Sequence, residues 1–250
     1  GTRNRSNDTG SHTEEDGRPT GGITTAEVRA NVRAVLSDPA TWAVNLLLFC
    51  SVGVNVTVLG LWGIPYIVQM YEVSVTEAAT YTLVGNLGLI VGAPIVGYLS
   101  DRFGRRIEFM IVSGIVFTSL YATIAIVGKP PLVTVGLIFF TSSFLSGGFI
   151  LGYSVIKERN IDSASGVATG TINTAAYTGA AVFPTLLGAA LDTFWTGTTV
   201  AGVRVYSLVG YRTAFGIAAV GGVVTVVSAV ILQKLSGGTI HRRDLPSTRL

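Results

Sequence analysis

Six long stretches of this chain carry no charged residue, and they constrain its fold more than any other feature. The gaps run between Asp38 and Glu72, Glu77 and Asp101, Glu108 and Lys129, Lys129 and Lys157, Asp162 and Asp192, and Arg212 and Lys234. Each is roughly 20 residues or longer, the length an α-helix needs to cross the hydrocarbon layer of a bilayer. Composition points the same way: of 250 residues, 49% are hydrophobic and 12% charged, with a mean hydropathy of +0.57. The gaps are rich in Val, Ile, Gly and Thr, which also suit strands. Transmembrane strands, however, are about 10 residues long and alternate in polarity, and these stretches do not alternate. The expectation is an all-α integral membrane protein with six transmembrane helices, near 42–71, 77–100, 107–128, 131–156, 164–191 and 209–233.

Basic residues set the expected orientation. With six spans both termini share one side, and its loops hold Arg102, Arg105, Arg106, Lys157, Arg159, Lys234, Arg242, Arg243 and Arg249. The other side has Lys129, Arg204 and Arg212. The positive-inside bias then makes both termini cytoplasmic, with the chain multi-pass in the cell membrane. Trp42 and Trp195 fall near span ends, where aromatic anchors belong, whereas Trp62 falls mid-span. The formal charge of +3 is explained by these flanking residues, so the lipid bilayer is the expected partner and nucleic acid is not.

The ends are of different material. Residues 1–23 are polar, mixed in charge and free of apolar runs, which predicts disorder and excludes a signal peptide. Residues 24–40 place Val28, Val32, Val35 and Leu36 at helical spacing with Arg29 and Arg33 between them, ending at Asp38-Pro39. That pattern predicts a short amphipathic linker helix on the cytoplasmic membrane surface. Residues 235–250 are expected to be a cytoplasmic tail. The chain begins with Gly1 rather than Met, which fits an internal linker of a longer protein. Cys50 lies within the first span and has no second cysteine to pair with.

Between the second and third spans lies GYLSDRFGRR, residues 97–106. Gly97 allows a neighbouring helix to approach, Asp101 can face a basic partner, and Arg105 and Arg106 can pair with carboxylates or lipid phosphates. The loop is short, so it holds a fixed charge cluster at one membrane surface, suited to latching against another helical unit.

Polar side chains within the spans are costly in lipid and mark a pathway or an interhelical contact. Asn55, Trp62, Tyr66 and Gln69 follow one helical face at offsets of 7, 4 and 3. Thr82 and Asn86 are one turn apart; Ser142, Ser146 and Tyr153 form a stripe; the fifth span offers Asn173, Tyr177 and Pro184; the sixth has little beyond Thr225 and Ser228. Gly88/Gly92, Gly148/Gly152 and Gly166/Gly170 are spaced for close helix packing. No Asp, Glu, His, Lys or Arg lies mid-span, which gives no evident proton relay and no fixed counter-charge. His12 and His241 both lie in the tails, so neither an intramembrane serine protease nor a metalloenzyme has its residues. No phosphate-cradling G-x-x-x-x-G-K-[ST] occurs. No catalytic residue, metal or cofactor is expected.

The pattern formed by Gly97, Leu99, Asp101, Arg102, Gly104, Arg105 and Arg106 resembles the signature loop of the major facilitator superfamily. The run KERN at 157–160 resembles the close of the fourth helix of a half in that family, and residues 166–192 resemble the fifth helix in its sugar-phosphate and organic-anion permease branch. The resemblance implies a twelve-helix fold in two halves of three-helix repeats, this chain being the C-terminal half and an N-terminal six-helix half its partner. It implies an inner charge network of Asp101, Arg105, Glu158 and Arg159. It further implies a central cavity lined from this half by the first, second, fourth and fifth spans. The function implied is alternating-access secondary transport of a small polar organic solute, organic anions among the candidates. Organic-phosphate exchangers of the family use basic residues that the first span here lacks. The competing readings are a non-transporting six-helix membrane subunit, a self-pairing half-transporter and a channel.

Overall fold

A computed structural model describes residues 24–200 and 202–243, the side chains of Asp162 and of residues 237–243 excepted. The expectations for residues 1–23 and for the tail beyond Arg243 lie outside the described residues.

Each charge-free stretch becomes a helix with recognisable punctuation. α1 (Thr25–Ser37) opens on a capping box, in which Thr24 Oγ1 accepts from the Glu27 amide while the Glu27 carboxylate accepts from the Thr24 amide. Asp38 caps α2 (Pro39–Thr57), accepting from the Ala40 amide at 3.0 Å, with Pro39 at the first helical position. The span continues through a π-helical turn, Val58–Trp62, into α3 (Gly63–Tyr71). Ser74 caps α4 (Val75–Phe103), and Gly104, at φ +64°, ends it in the left-handed conformation that glycine adopts without strain. α5 (Arg106–Val127) and α6 (Leu132–Arg159) follow, then a 3₁₀ turn (Asp162–Ala164), α7 (Ser165–Asp192), a hairpin of β1 (Trp195–Val200) and β2 (Val203–Tyr206), and α8 (Leu208–Arg243). Six helical segments are long and apolar enough to cross a membrane: Pro39–Tyr71, Val75–Phe103, Arg106–Val127, Leu132–Arg159, Ser165–Asp192 and Leu208–Ser236. The chain is therefore an all-α membrane bundle carrying one small antiparallel hairpin.

The packing reveals the repeats. α4 lies along α6, α2 along α7, and α5 along α8; α2 also packs on α8, and α5 on α6. Exchanging the first three spans for the last three turns the α4–α6 contact into the α7–α2 contact, turns α2–α8 into α6–α5, and maps α5–α8 onto itself. The bundle is thus two three-helix units related by a pseudo-two-fold axis. Glycine closes the two equivalent contacts. A Cβ on Gly88 or Gly92 would run into the backbone of Phe140 or Phe144 on α6; one on Gly179 would run into the backbone of Phe49 on α2. Tyr66, Tyr121, Tyr211, Phe117, Phe139 and Phe149 fill the core, with Tyr66 edge-on to Phe215 at 4.9 Å and Phe117 edge-on to Tyr121 at 4.8 Å.

Several expectations are corrected here. A Cβ at Gly97, Gly166 or Gly170 would meet nothing within 4 Å, so close packing does not explain these glycines. The first span is not one continuous α-helix, because the π turn at Val58–Trp62 adds a residue to its middle. The sixth helix extends past 233 to Arg243. Between the last two spans, Trp195–Val200 and Val203–Tyr206 pair as a hairpin that was not anticipated, its alternation short beside such long apolar runs. α1 is docked on protein as well as exposed: Asn31 Nδ2 donates to the Ser163 carbonyl at 3.1 Å and Val35 is buried.

Candidate functional site

Charges gather at the α1 end of the bundle. Because Gly104 breaks α4 and Arg106 opens α5, the Arg106 guanidinium reaches back to Asp101, with Nη2 at 2.9 Å and Nε at 3.2 Å from Oδ1. Its Nη1 also donates to Glu158 at the end of α6. One side chain thus ties the α4–α5 turn to a third span. Arg106 is the most sheltered member, 28% exposed against 63% for Asp101 and 64% for Glu158. A planar guanidinium engaging two carboxylates gains the geometric specificity that isolated surface pairs lack. Arg105, expected in this network, instead pairs with Glu108 at 3.6 Å within its own helix. The reason is local: Arg105 is the N-cap residue, at φ −118° and ψ 47°, and faces the first turn it caps. Arg159 belongs to a separate pair with Asp38 at 3.3 Å, which fastens the end of α6 to the start of α2. Arg102 is exposed and joins none of these ion pairs.

Deeper in the bundle, α2 and α6 share a polar cluster. Asn55 Nδ2 donates to Ser143 Oγ at 3.3 Å and to Ser146 Oγ at 3.2 Å, and Ser146 Oγ donates to the Ser142 carbonyl. On α6 and α7, Tyr153 donates to Asn173 Oδ1 at 2.6 Å. Asn173 is exposed and Tyr177, one turn on, is 73% exposed. Asn86 is exposed on α4, its amide donating to the Thr82 carbonyl at 2.8 Å. A groove of about 410 Å³ runs beside it, lined by Thr76, Thr80, Thr82 and Asn86 among others. Ser142, part of the expected stripe, is buried beneath, accepting from Tyr121.

The rest of the expected first-span face goes elsewhere. Tyr66 is buried and donates to the Gly128 carbonyl at 2.7 Å. Gln69 is consumed by the hairpin end: its Oε1 accepts from the Tyr206 amide (2.9 Å) and the Tyr211 hydroxyl (3.1 Å), and its Nε2 donates to the Arg204 carbonyl. Trp62 packs edge-on against Tyr206 at 5.8 Å. Residues before and after the π turn therefore do not share a face, although spacing alone put them on one. Asp192 completes the hairpin end, accepting from Arg204 (2.9 Å) and from Tyr206 (3.1 Å). Burial and the Asp192 carboxylate raise the Tyr206 phenol above its ordinary pKa of 10.0.

A pseudosymmetric six-span bundle, open along α4 and α7 and clamped by charge at one end, is built of the three-helix repeats found in transporter folds. The family model for the Major Facilitator Superfamily matches residues 41–244, and the chain belongs to that superfamily. It is accordingly a multi-pass membrane protein of a solute-transport family. Solute carrier family 22 member 7 of Mus musculus is 31% identical over 107 residues, covering 41% of this chain and 18% of that protein. The chain thus spans only a small fraction of that relative's length.

Proposed function

We propose that this chain is the C-terminal half of a secondary transporter that moves a small polar organic solute, organic anions included, across the cell membrane by alternating access. The carrying observation is the Arg106 clamp. It joins α4, α5 and α6 at one end of the bundle, where a change of access must break or remake contacts. We assign that end to the cytoplasm, on the bias of basic residues. Asn55, Ser146, Tyr153, Asn173, Tyr177 and Asn86 supply neutral hydrogen-bonding groups on the spans we assign to the pathway, toward an N-terminal half. Recognition by this half then rests on hydrogen bonds, and any fixed charge for an anion comes from the N-terminal half.

The test is uptake of a panel of radiolabelled small polar solutes into proteoliposomes containing the full-length protein. The expected result is saturable uptake, accelerated when the same solute is loaded inside, with Asp101→Asn cutting the rate severalfold at unchanged protein yield. Unsaturable flux would make it a channel; no flux with any solute, together with co-purifying partners, would make it an assembly subunit.

A further inference from the structure

The amides of the proposed pathway are oriented by what their neighbours can still give or take. Ser146 gives its hydroxyl proton to the Ser142 carbonyl, so its Oγ can only accept from Asn55. Asn55 therefore turns its nitrogen to α6, with one hydrogen for Ser143 and one for Ser146, and Oδ1 is the end left over. That oxygen has no partner among the described residues and, unlike Oδ1 of Asn45, is not sealed from solvent. Asn86 is fixed in the same way. Its partner is the Thr82 backbone carbonyl, which can only accept, so the helix holds the amide nitrogen and the carbonyl oxygen is left free on an exposed residue.

The α4 groove that Asn86 lines, of about 410 Å³, continues this polarity. Thr80 and Thr82, also in its lining, give their hydroxyl protons to the carbonyls of Thr76 and Ala79, at 3.1 and 3.0 Å. Both keep only lone pairs to offer. The donors left on this wall are the second amide hydrogen of Asn86 and the Thr76 hydroxyl. α7 has the opposite polarity. The Tyr153–Asn173 contact, at 2.6 Å, has the length of a hydroxyl-to-oxygen bond rather than of an amide N–H bond. It consumes Asn173 Oδ1 and leaves the amide nitrogen as the free end of an exposed residue. A carboxylate or phosphate set against α2 and α4 would thus meet mostly lone pairs, and a polar group stripped of water without a partner is costly.

We infer that the solute carries a hydrogen-bond donor, an ammonium or a hydroxyl group, on the side that meets Asn55 and Asn86, and turns any anionic group away from α2 and α4. The inference rests on the pathway proposed above and gives that pathway a direction of hydrogen bonding that a plain anion does not match.

Binding is read from the thermal unfolding midpoint of the full-length protein in detergent, titrated with γ-aminobutanoate, γ-hydroxybutanoate, butanoate and succinate. These probes share one carboxylate and differ at the far end, which is an ammonium, a hydroxyl, a methyl or a second carboxylate. The two donor-bearing probes are expected to stabilise the protein at roughly tenfold lower concentration than butanoate, with succinate the weakest. Whichever of the two binds more tightly identifies the donor as ammonium or hydroxyl. Asn86→Leu, at an exposed position that tolerates the change, should shrink the donor advantage severalfold, whereas Asn86→Asp should enlarge it for γ-aminobutanoate. Butanoate or succinate binding as tightly as the donor probes would overturn the inference. So would an unchanged ranking in Asn86→Leu, or no stabilisation by either donor probe. Uptake of the same probes into proteoliposomes keeps the two readings apart: saturable uptake without donor preference removes this inference alone, and donor-selective binding without uptake removes transport alone.

Discussion

Adjacent arginines in the loop after α4 have different duties. Arg106 holds two carboxylates from two other places in the bundle, while Arg105 holds only Glu108, three residues along its own helix. Replacing Arg106 with Gln should therefore unbalance the closed state, whereas Arg105→Gln should leave it nearly intact. Exposed and half-exposed pairs are each worth up to about 1 kcal/mol, so losing two changes the ratio of access states by up to roughly thirtyfold. Uptake kinetics of the two variants at equal expression check this; equal effects would refute the division of labour. Motif spacing marked the loop as a charge cluster. It could not say which arginine turns inward, because that depends on where Gly104 breaks the helix. Asn55, Ser146, Tyr153 and Asn173 were legible as polar residues inside apolar runs, and all four hydrogen-bond across helix boundaries.

Among elements, the closest contacts are made by glycine, and their symmetry gives a test. Gly179 meets the Phe49 backbone at the α2–α7 contact just as Gly88 and Gly92 meet Phe140 and Phe144 at the α4–α6 contact. Gly179→Val should force α2 and α7 apart, costing about 1–3 kcal/mol by overpacking and lowering the midpoint of thermal unfolding in detergent. Gly97→Val, where a side chain would meet nothing within 4 Å, should leave that midpoint unchanged. The pattern of two glycines four apart was readable in the sequence, but whether each pair faces a helix was not. Gly166 and Gly170 have the same spacing and face open space. The hairpin was lost for a different reason: ten residues of strand are a weak signal next to helices of 22 to 36 residues.

For the molecule as a whole, two repeats around a pseudo-two-fold axis leave α4 and α7 on an open side. Each has only 28% of its most apolar window buried, against 67% for the first span. Helices this exposed either meet lipid or meet another protein, and Asn86, Asn173 and Tyr177 would be wasted in lipid. An N-terminal half is the expected cover. An antibody against the C-terminal tail, used on source membranes, should detect a polypeptide near twice the 26.1 kDa of this chain. A band at the size of this chain would make self-pairing or a separate partner necessary. The six spans and their class were legible because charge cannot be left in lipid without cost. The way the spans pair was not, because a bilayer exposes apolar helix faces as readily as a core buries them.

The π turn at Val58–Trp62 gives the first span two independent halves. An extra residue rotates everything beyond it by about 100° relative to an unbroken helix. Below the turn, Asn55 faces α6; above it, Tyr66 and Gln69 face the core and the hairpin. The constraint on this short piece is therefore one of count rather than of identity. Side chains can be exchanged there while the register survives, but losing one residue would swing the upper half away from every partner it has. It would detach the hairpin, the Gly128 carbonyl and Tyr211 in one step while leaving the lower half, with Asn55 on α6, in place.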